Sequence, residues 1–338
     1  ATGIAGEFLW PIHPAGLASL YRHSPEHNRA CQIKAETAFG GGLLGDAADR
    51  LDELCDGSFT EMAVLLGLDL EAYGNAFLQQ IWSLDRKRLI GLRRLPAVTM
   101  SRFRGGFMQR DYKPDGTLKT VTFTGREVIH LRVPCVMGKR YAFPTWIGAE
   151  GMMDLAHSAV RYNAAFFKNN GMPEYAVIYK GAEPSKKQKE GVRAFFRNDF
   201  KGVDNAHRTL LLWTGSGEEN DVDVKKLTAD MKDADFLKLI DAARDRIPVA
   251  HGVPPRMLGI MTAGQLGGGG EVTSQLFIFE HLTLKPKRRS VLNQLAPVLA
   301  KVGLKPARDP DNIQPGEVAF ASLDLTPPQD DTKGLPDL

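Results

Sequence analysis

Apolar and polar positions follow a helical period over three long stretches of the chain and a strand period over a central block. Phe236, Ile240, Ala243, Ile247 and Ala250 recur at three- and four-residue steps, with Asp235, Lys238, Asp241, Arg244 and Asp245 opposite them. This stripe predicts an amphipathic helix over 235–251. Pro248 is expected to break or restart it, because proline has no N–H to donate and crowds the preceding turn. His251-Gly252-Val253-Pro254-Pro255 ends the element, since a residue before proline leaves the α region. An earlier stretch, Gly148 to Asn170, carries Met152, Leu155, Ala159, Tyr162 and Phe166 on one face and is closed by Asn169-Asn170-Gly171. From Glu271 the helical pattern returns through Leu276, Phe279 and Leu282, then Leu292, Leu295 and Leu299, with a kink expected at Pro286.

The N-terminal part reads as helices followed by strands. Ser24 as N-cap and Pro25 at the first helical position start a helix that runs to Phe39 and stops at Gly40-Gly41-Gly42. A second helix, about Thr60 to Tyr73, ends at Gly74-Asn75. Strand-like runs follow at 76–81, 89–95, 98–103, 107–112, 118–123 and 127–132, with a turn signal at Lys113-Pro114-Asp115-Gly116. The pattern predicts an α+β fold with antiparallel pairing. Between the two long helices lies a small α/β unit: strands at 175–179, 210–213 and 222–227, and a helix at 185–200 with Ser185 as N-cap. One more strand is expected at 317–323, followed by a frayed, Pro- and Asp-rich tail.

Between the second long helix and the last lies Gly259-Ile260-Met261-Thr262-Ala263-Gly264-Gln265-Leu266-Gly267-Gly268-Gly269-Gly270. Consecutive glycines have no side chains to pack and lose the most backbone entropy on ordering, so a mobile loop is expected. Gly259 and Gly264 have the spacing of a P-loop's first glycines, but Gln265 and Leu266 stand where Lys and Ser/Thr would reach phosphate and magnesium.

A length of 338 residues suggests about two domains, and the net charge of +3 excludes a uniformly basic nucleic-acid glove. Cys31, Cys55 and Cys135 are scattered and odd in number, which points to free buried thiols in a reducing compartment. No apolar run approaches the length of a membrane span. Catalytic chemistry has few footholds. His130, His157, His207, His251 and His281 show no metal-ligand spacing, and His251, at an apolar helix end, reads as packed or capping. Ser216 lacks a nucleophile-elbow pattern, and Trp10, Trp82, Trp146 and Trp213 are dispersed as core fillers. No metal and no cofactor is expected.

Four segments carry a family resemblance. They are Glu127-Val128-Ile129-His130-Leu131; Phe166-Phe167-Lys168-Asn169-Asn170-Gly171-Met172-Pro173; Ala250-His251-Gly252-Val253-Pro254-Pro255-Arg256-Met257-Leu258-Gly259; and Phe279-Glu280-His281-Leu282-Thr283-Leu284-Lys285-Pro286. In this order and spacing the chain resembles the portal proteins (head–tail connectors) of tailed bacteriophages, in particular those of contractile-tailed temperate phages. Pro248 departs from that pattern.

The resemblance implies a non-enzymatic, homo-oligomeric ring, usually a dodecamer, at one capsid vertex of the virion, assembled in the host cytoplasm. It would be a conduit for double-stranded DNA during packaging and ejection. Its partners would be the terminase motor, the major capsid protein and a head-completion or tail adaptor protein, with no membrane. In family terms residues 1–147 form a wing, 148–170 and 235–252 the stem helices, 171–234 a clip and 253–271 a tunnel loop. Residues 272–326 form a kinked helix and returning strand, and 327–338 a flexible tail. Expected DNA-facing loop residues are Arg256, Thr262, Gln265, Gly267, Gly268, Gly269 and Gly270. Clip contacts are expected from basic Lys186, Lys187, Lys189, Arg193 and Arg197 and from acidic Glu218, Glu219, Asp221 and Asp223. Lys285, Lys287, Arg288 and Arg289, after the kink at Pro286, are candidate contacts to DNA or a neighbouring subunit, and the sequence leaves open whether they face DNA, a neighbour or solvent. Two alternatives stay open: a nucleotide- or phosphate-handling enzyme built on the glycine loop, and a ring scaffold that does not touch DNA.

Overall fold

A computed structural model describes residues 6–45, 49–112, 114–136, 140–168, 175–180, 185–187, 190, 209–214, 221–226, 233–260 and 269–322. The chain divides into two compact units, residues 1–153 with 244–338, and residues 154–243.

The larger unit opens with β1 (Glu7–Phe8), α1 (Pro14–His23) and α2 (Pro25–Phe39). Ser24 caps α2 as its sequence predicts, accepting from the His27 N–H at 3.4 Å, with Pro25 in the first turn. The short helix α1 is not evident in the sequence pattern, because Pro14 and Gly16 read as breakers and only Pro14 and Leu17 are buried. Then come β2 (Leu43–Leu44), α3 (Asp49–Asp52) and α4 (Phe59–Tyr73). In α4, a Cβ on Gly67 would lie 2.6 Å from the Phe39 ring, so the missing side chain lets α2 and α4 approach closely. Gly74 closes α4 with φ of 70°, and a Cβ there would meet the backbone of Phe143 at 2.7 Å.

Strands β3 (Asn75–Trp82), β4 (Leu89–Leu95), β5 (Met100–Phe103), β6 (Gly106–Tyr112), β7 (Leu118–Thr124) and β8 (Val128–Arg132) follow the alternation closely. The one difference is at 97–99, a 3₁₀ turn rather than strand. All their pairings are antiparallel, in orders β4-β3-β8 and β1-β5-β6-β7. In the same unit, β12 (Lys305–Pro306) and β13 (Glu317–Phe320) join β2 in a third small sheet. The main core brings Phe39, Leu66, Leu70, Leu78 and Leu131 together with Phe279, Leu292 and Leu299 from the last long helical stretch.

In the smaller unit, β9 (Tyr175–Lys180) is the centre of a three-stranded sheet, parallel to β10 (Thr209–Thr214) and antiparallel to β11 (Asp221–Lys226). A parallel pair requires a crossover connection, which is where the sequence puts its helix. Residues 186, 187 and 190 are helical, and the rest of 188–200 lies outside the described residues. The division between units falls within α5 (Glu150–Lys168) and α6 (Asp233–His251). No described helix is long and apolar enough to cross a membrane.

The long helices correct three expectations. Helix α6 runs through Pro248 to His251 without restarting. Proline there lies in the last turn, and Ile247, Pro248 and His251 are all buried, which offsets the lost hydrogen bond. In α5 Met153 and Ala159 are buried, but Leu155 is 39% exposed and does not belong to the inward stripe. The third concerns Pro286. Between α7 (Gly269–Ile278) and α8 (Lys285–Leu299) the backbone forms a π-helical turn over Phe279–Leu284, and Pro286 falls in the first turn of α8. The wider turn shifts the buried register to Phe279 and Leu284, five residues apart, and leaves Leu282 75% exposed.

Charges are buried among these helices. Glu71 on α4 forms ion pairs with Lys34 on α2 and Lys287 on α8. Burial pulls Lys34 down to about 8 and Lys287 well below the ordinary lysine value. Glu71→Gln would strand the buried Lys34 ammonium and remove the partner of partly buried Lys287, and we expect a loss of roughly 3–5 kcal/mol at neutral pH. Urea unfolding checks it, and the loss should shrink at pH 9, above the lowered Lys34 value.

His130 on β8 is held by Asn75 of β3. The Asn75 amide nitrogen donates to the carbonyls of Tyr73 and Ala142, both at 2.8 Å, so its oxygen accepts from His130 Nε2 at 2.9 Å. Burial, then Arg102 and Arg132, push His130 down to about 3. Unfolding restores the ordinary affinity for a proton, so this contribution is intact above about pH 6.5 and erodes as pH falls toward 3. The slope approaches about 1.4 kcal/mol per pH unit. His130→Gln, which cannot charge, should flatten that part of the stability profile; an unchanged profile counts against it.

Candidate functional site

The glycine-rich loop leaves from a firmly anchored base. Helix α6 ends at Gly252, whose φ of 64° is left-handed, and a Cβ there would approach Thr283 Oγ1 at 3.3 Å. Thr283, in the π-helical turn, donates to the Gly252 carbonyl at 3.2 Å. Val253 is buried in the main core, and Met257 and Leu258 pack against it. Pro254 is extended, Pro255–Leu258 form a 3₁₀ turn, and Gly259 closes that turn with φ of 76°. The Ile260 N–H donates back to the Pro255 carbonyl at 3.1 Å, and the Ile260 side chain is buried. The two prolines and two left-handed glycines thus turn the chain out of α6 at a defined place.

Of the loop residues singled out from sequence, Arg256 sits half-buried in the 3₁₀ turn. Thr262, Gln265, Gly267 and Gly268 lie outside the described residues. Gly269 and Gly270 are not loop: they form the first turn of α7. The chain is helical two residues earlier than the glycine run suggests, since a helix's first turn tolerates glycine when the following residues propagate it.

The basic cluster after the π-helical turn is divided by the fold. Lys287 turns inward to Glu71. Arg288 is also buried: it pairs with Glu280 and donates to Ser322 Oγ at 2.9 Å and to the Thr37 carbonyl at 3.4 Å. Both are therefore withdrawn from the expected contact surface, and they serve packing inside the protomer. Lys285 and Arg289 remain exposed. They line a cavity of about 630 Å³ together with His281 and Arg308, and with acidic Asp309 and Asp311. Lys285 comes within 4.0 Å of Asp311, so this surface is of mixed sign.

In the smaller unit, Lys186 and Lys187 are exposed helical residues. Asp221 and Asp223 lie in β11, opposite Lys180 and Ile178 of β9. Lys189, Arg193, Arg197, Glu218 and Glu219 lie outside the described residues.

Sequence reasoning missed a buried constellation beside the base of the loop. His27 and Cys31, one helical turn apart on α2, meet His251 at the end of α6. His27 Nδ1 is 2.9 Å from His251 Nε2 and 3.6 Å from Cys31 Sγ. The Trp146 ring packs on His27 at 4.1 Å, and its Nε1 donates to the Glu71 carbonyl at 2.6 Å. Burial, then the charge of Lys34, lowers His27 to about 3; burial lowers His251 further. The packed role of His251 follows from the sequence. Its partner His27 does not, because 224 residues separate them.

Comparison with known proteins places this fold. The model of the phage portal protein family matches residues 58–303. A probable portal protein of Streptomyces phage phiC31 is 29% identical over 164 residues, covering 48% of this chain and 34% of that protein. The phage-like element PBSX protein XkdE of Bacillus subtilis (strain 168) is 25% identical over 190 residues, 52% of this chain and 37% of its own length. This chain thus spans little more than a third of the length of such curated relatives. Among solved structures, the neck of a native gene transfer agent particle, computed with C12 symmetry, aligns with a TM-score of 0.63 at 22% identity. The alignment covers 88% of this chain and 83% of that one. An HK97-family phage portal protein from Corynebacterium diphtheriae aligns with a TM-score of 0.54 at 13% identity, covering 82% and 88%. With the family model spanning residues 58–303, well over half its length, the chain belongs to the phage portal protein family.

Proposed function

We propose that this chain is the repeating subunit of a ring at one capsid vertex, through which double-stranded DNA enters and leaves the particle. The observation that carries the reading is the anchored exit of the loop. Two prolines, two left-handed glycines and buried Val253 and Ile260 fix where residues 261–268 depart, while their composition supplies neither Lys nor Arg. A tunnel wall must let a polyanion slide. Each fixed cation on phosphate releases counterions and adds affinity, so a wall without lysine or arginine grips weakly. Contact is through shape, without base readout. The inward turn of Lys287 and Arg288 supports the same economy of exposed charge.

In this reading α5 and α6 are the stem, residues 171–234 the clip, and residues 1–147 with the C-terminal helical stretch the wing. Ring formation has support in exposed apolar groups. Phe277, Ile278 and Leu282 are 62%, 54% and 75% exposed, and Val249 is 75% exposed. Apolar side chains at this density suit burial against a second copy of the chain. The twelvefold symmetry of the related particle's neck suggests a dodecamer. A terminase motor at the clip, the major capsid protein around the wing and a tail adaptor complete the assembly we propose.

Electron microscopy of the purified protein should show annular particles with an axial opening wide enough for a duplex about 20 Å across. Rings with the loop on the outer rim would end the proposal. Leu282→Glu should leave protomer stability within about 0.5 kcal/mol, because the side chain is exposed, while abolishing rings; rings of normal yield would remove this contact from the interface. Deleting Gly267 and Gly268 should shorten the packaged DNA, and packaging of normal length and retention counts against a tunnel role. Charge reversal at Lys186, Lys187 and Lys189 should weaken ring assembly or motor docking at physiological salt.

A further inference from the structure

We propose that Nδ1 of His27, Sγ of Cys31 and Nε2 of His251 form a three-ligand site for a thiophilic divalent cation of the zinc class. The three atoms lie within 4.8 Å of one another, and all three residues are buried. Zinc bonds of about 2.0–2.1 Å to nitrogen and 2.3 Å to sulfur in tetrahedral geometry require ligand separations of roughly 3.3 Å between nitrogens and 3.6 Å between nitrogen and sulfur. Two of the three separations are 2.9 Å and 3.6 Å and the third, from Cys31 to His251, lies within 4.8 Å, so the rings must part by a few tenths of an ångström and the His251 ring must move toward Cys31.

The donor set is the one such an ion selects: two imidazoles and a thiol, with no carboxylate among them. Two ligands sit one turn apart on the rigid helix α2, and the third closes the site from α6. A cavity of about 430 Å³ reaches His251 between Lys34, Arg132, Thr283 and Lys287. Its lining includes His251 but neither His27 nor Cys31, so solvent approaches the site from the His251 side. Binding breaks the imidazole–imidazole hydrogen bond. The proton that bridged the rings moves to the outer nitrogen of the ring that carried it, His27 Nε2 or His251 Nδ1, and both inner nitrogens then ligate. The metal–sulfur bond forms as the Cys31 thiol proton passes to water. Lys34 and Lys287 favour the thiolate that results, against burial, which pushes the thiol up to about 12. The outer nitrogens, His27 Nε2 and His251 Nδ1, have no hydrogen-bond partner among the described residues. Rings without an acceptor behind them bind about 10–100-fold more weakly than buttressed ones, so a moderate-affinity site is expected. A metal here would clamp α2 to the end of α6, directly before the loop, whatever the assembly's function.

The full-length protein, stripped with chelator, should be titrated with cobalt(II). A thiolate-to-cobalt charge-transfer band should grow to one equivalent per protomer and vanish on addition of zinc(II). Zinc alone should raise the melting temperature. Apparent affinity should increase about tenfold per pH unit, since one thiol proton leaves. The band should be lost in Cys31→Ser and retained when Cys55 and Cys135 are both changed to Ser. No charge-transfer band in the unaltered protein, a result that depends on no variant folding, would overturn the site. So would a band that survives in Cys31→Ser.

Discussion

A charge cluster of buried Glu71 and Lys34 with partly buried Lys287 fixes the geometry on which the rest of the larger unit depends. Glu71 stands between Lys34 and Lys287 and so joins α4, α2 and α8, elements from opposite ends of the chain. Removing such groups from water is expensive, and the cost is recovered only if the partners stay together. The three helices are therefore held in one arrangement more strictly than apolar packing alone would hold them. The Glu71 carbonyl also receives the Trp146 indole, whose ring supports His27. The base of the glycine-rich loop rests on this cluster through His251.

The π-helical turn is the second device. Residues 269–299 must place Phe279 and Leu284 in the core, Thr283 on the Gly252 carbonyl and Lys287 on Glu71. A uniform α-helix has no five-residue step on one face. The wider turn supplies it, and it ends where Pro286 could not have supplied an N–H in any case. Its consequence is the exposure of Leu282, which joins Phe277 and Ile278 as exposed apolar groups on this helical stretch.

Local chemistry was legible wherever one physical rule dominated. Ser24-Pro25 set the start of α2, Gly74 the end of α4, and alternation set β3 to β8 nearly to the residue. The four portal-like segments pointed to the family from order and spacing. Misreadings came where two rules competed. Pro248 should stop a helix, but burial of its last turn kept it going. Gly269 and Gly270 read as loop, yet the helix that follows extended back over them. Leu282 matched a 3.6-residue stripe that the π-helical turn interrupts.

Most of the elements, the α+β class, the family and the uncharged composition of the loop can be read along the chain, because they depend on neighbouring residues and on recurring local patterns; α1 and the π-helical turn cannot. Only the tertiary structure decided that Lys287 and Arg288 serve the interior while Lys285 and Arg289 face outward, a choice made by a rotation of a helix by a fraction of a turn. It alone brought His27 and Cys31 to His251. Pairing across more than two hundred residues is a property of how helices pack, and no short-range pattern in the chain encodes it.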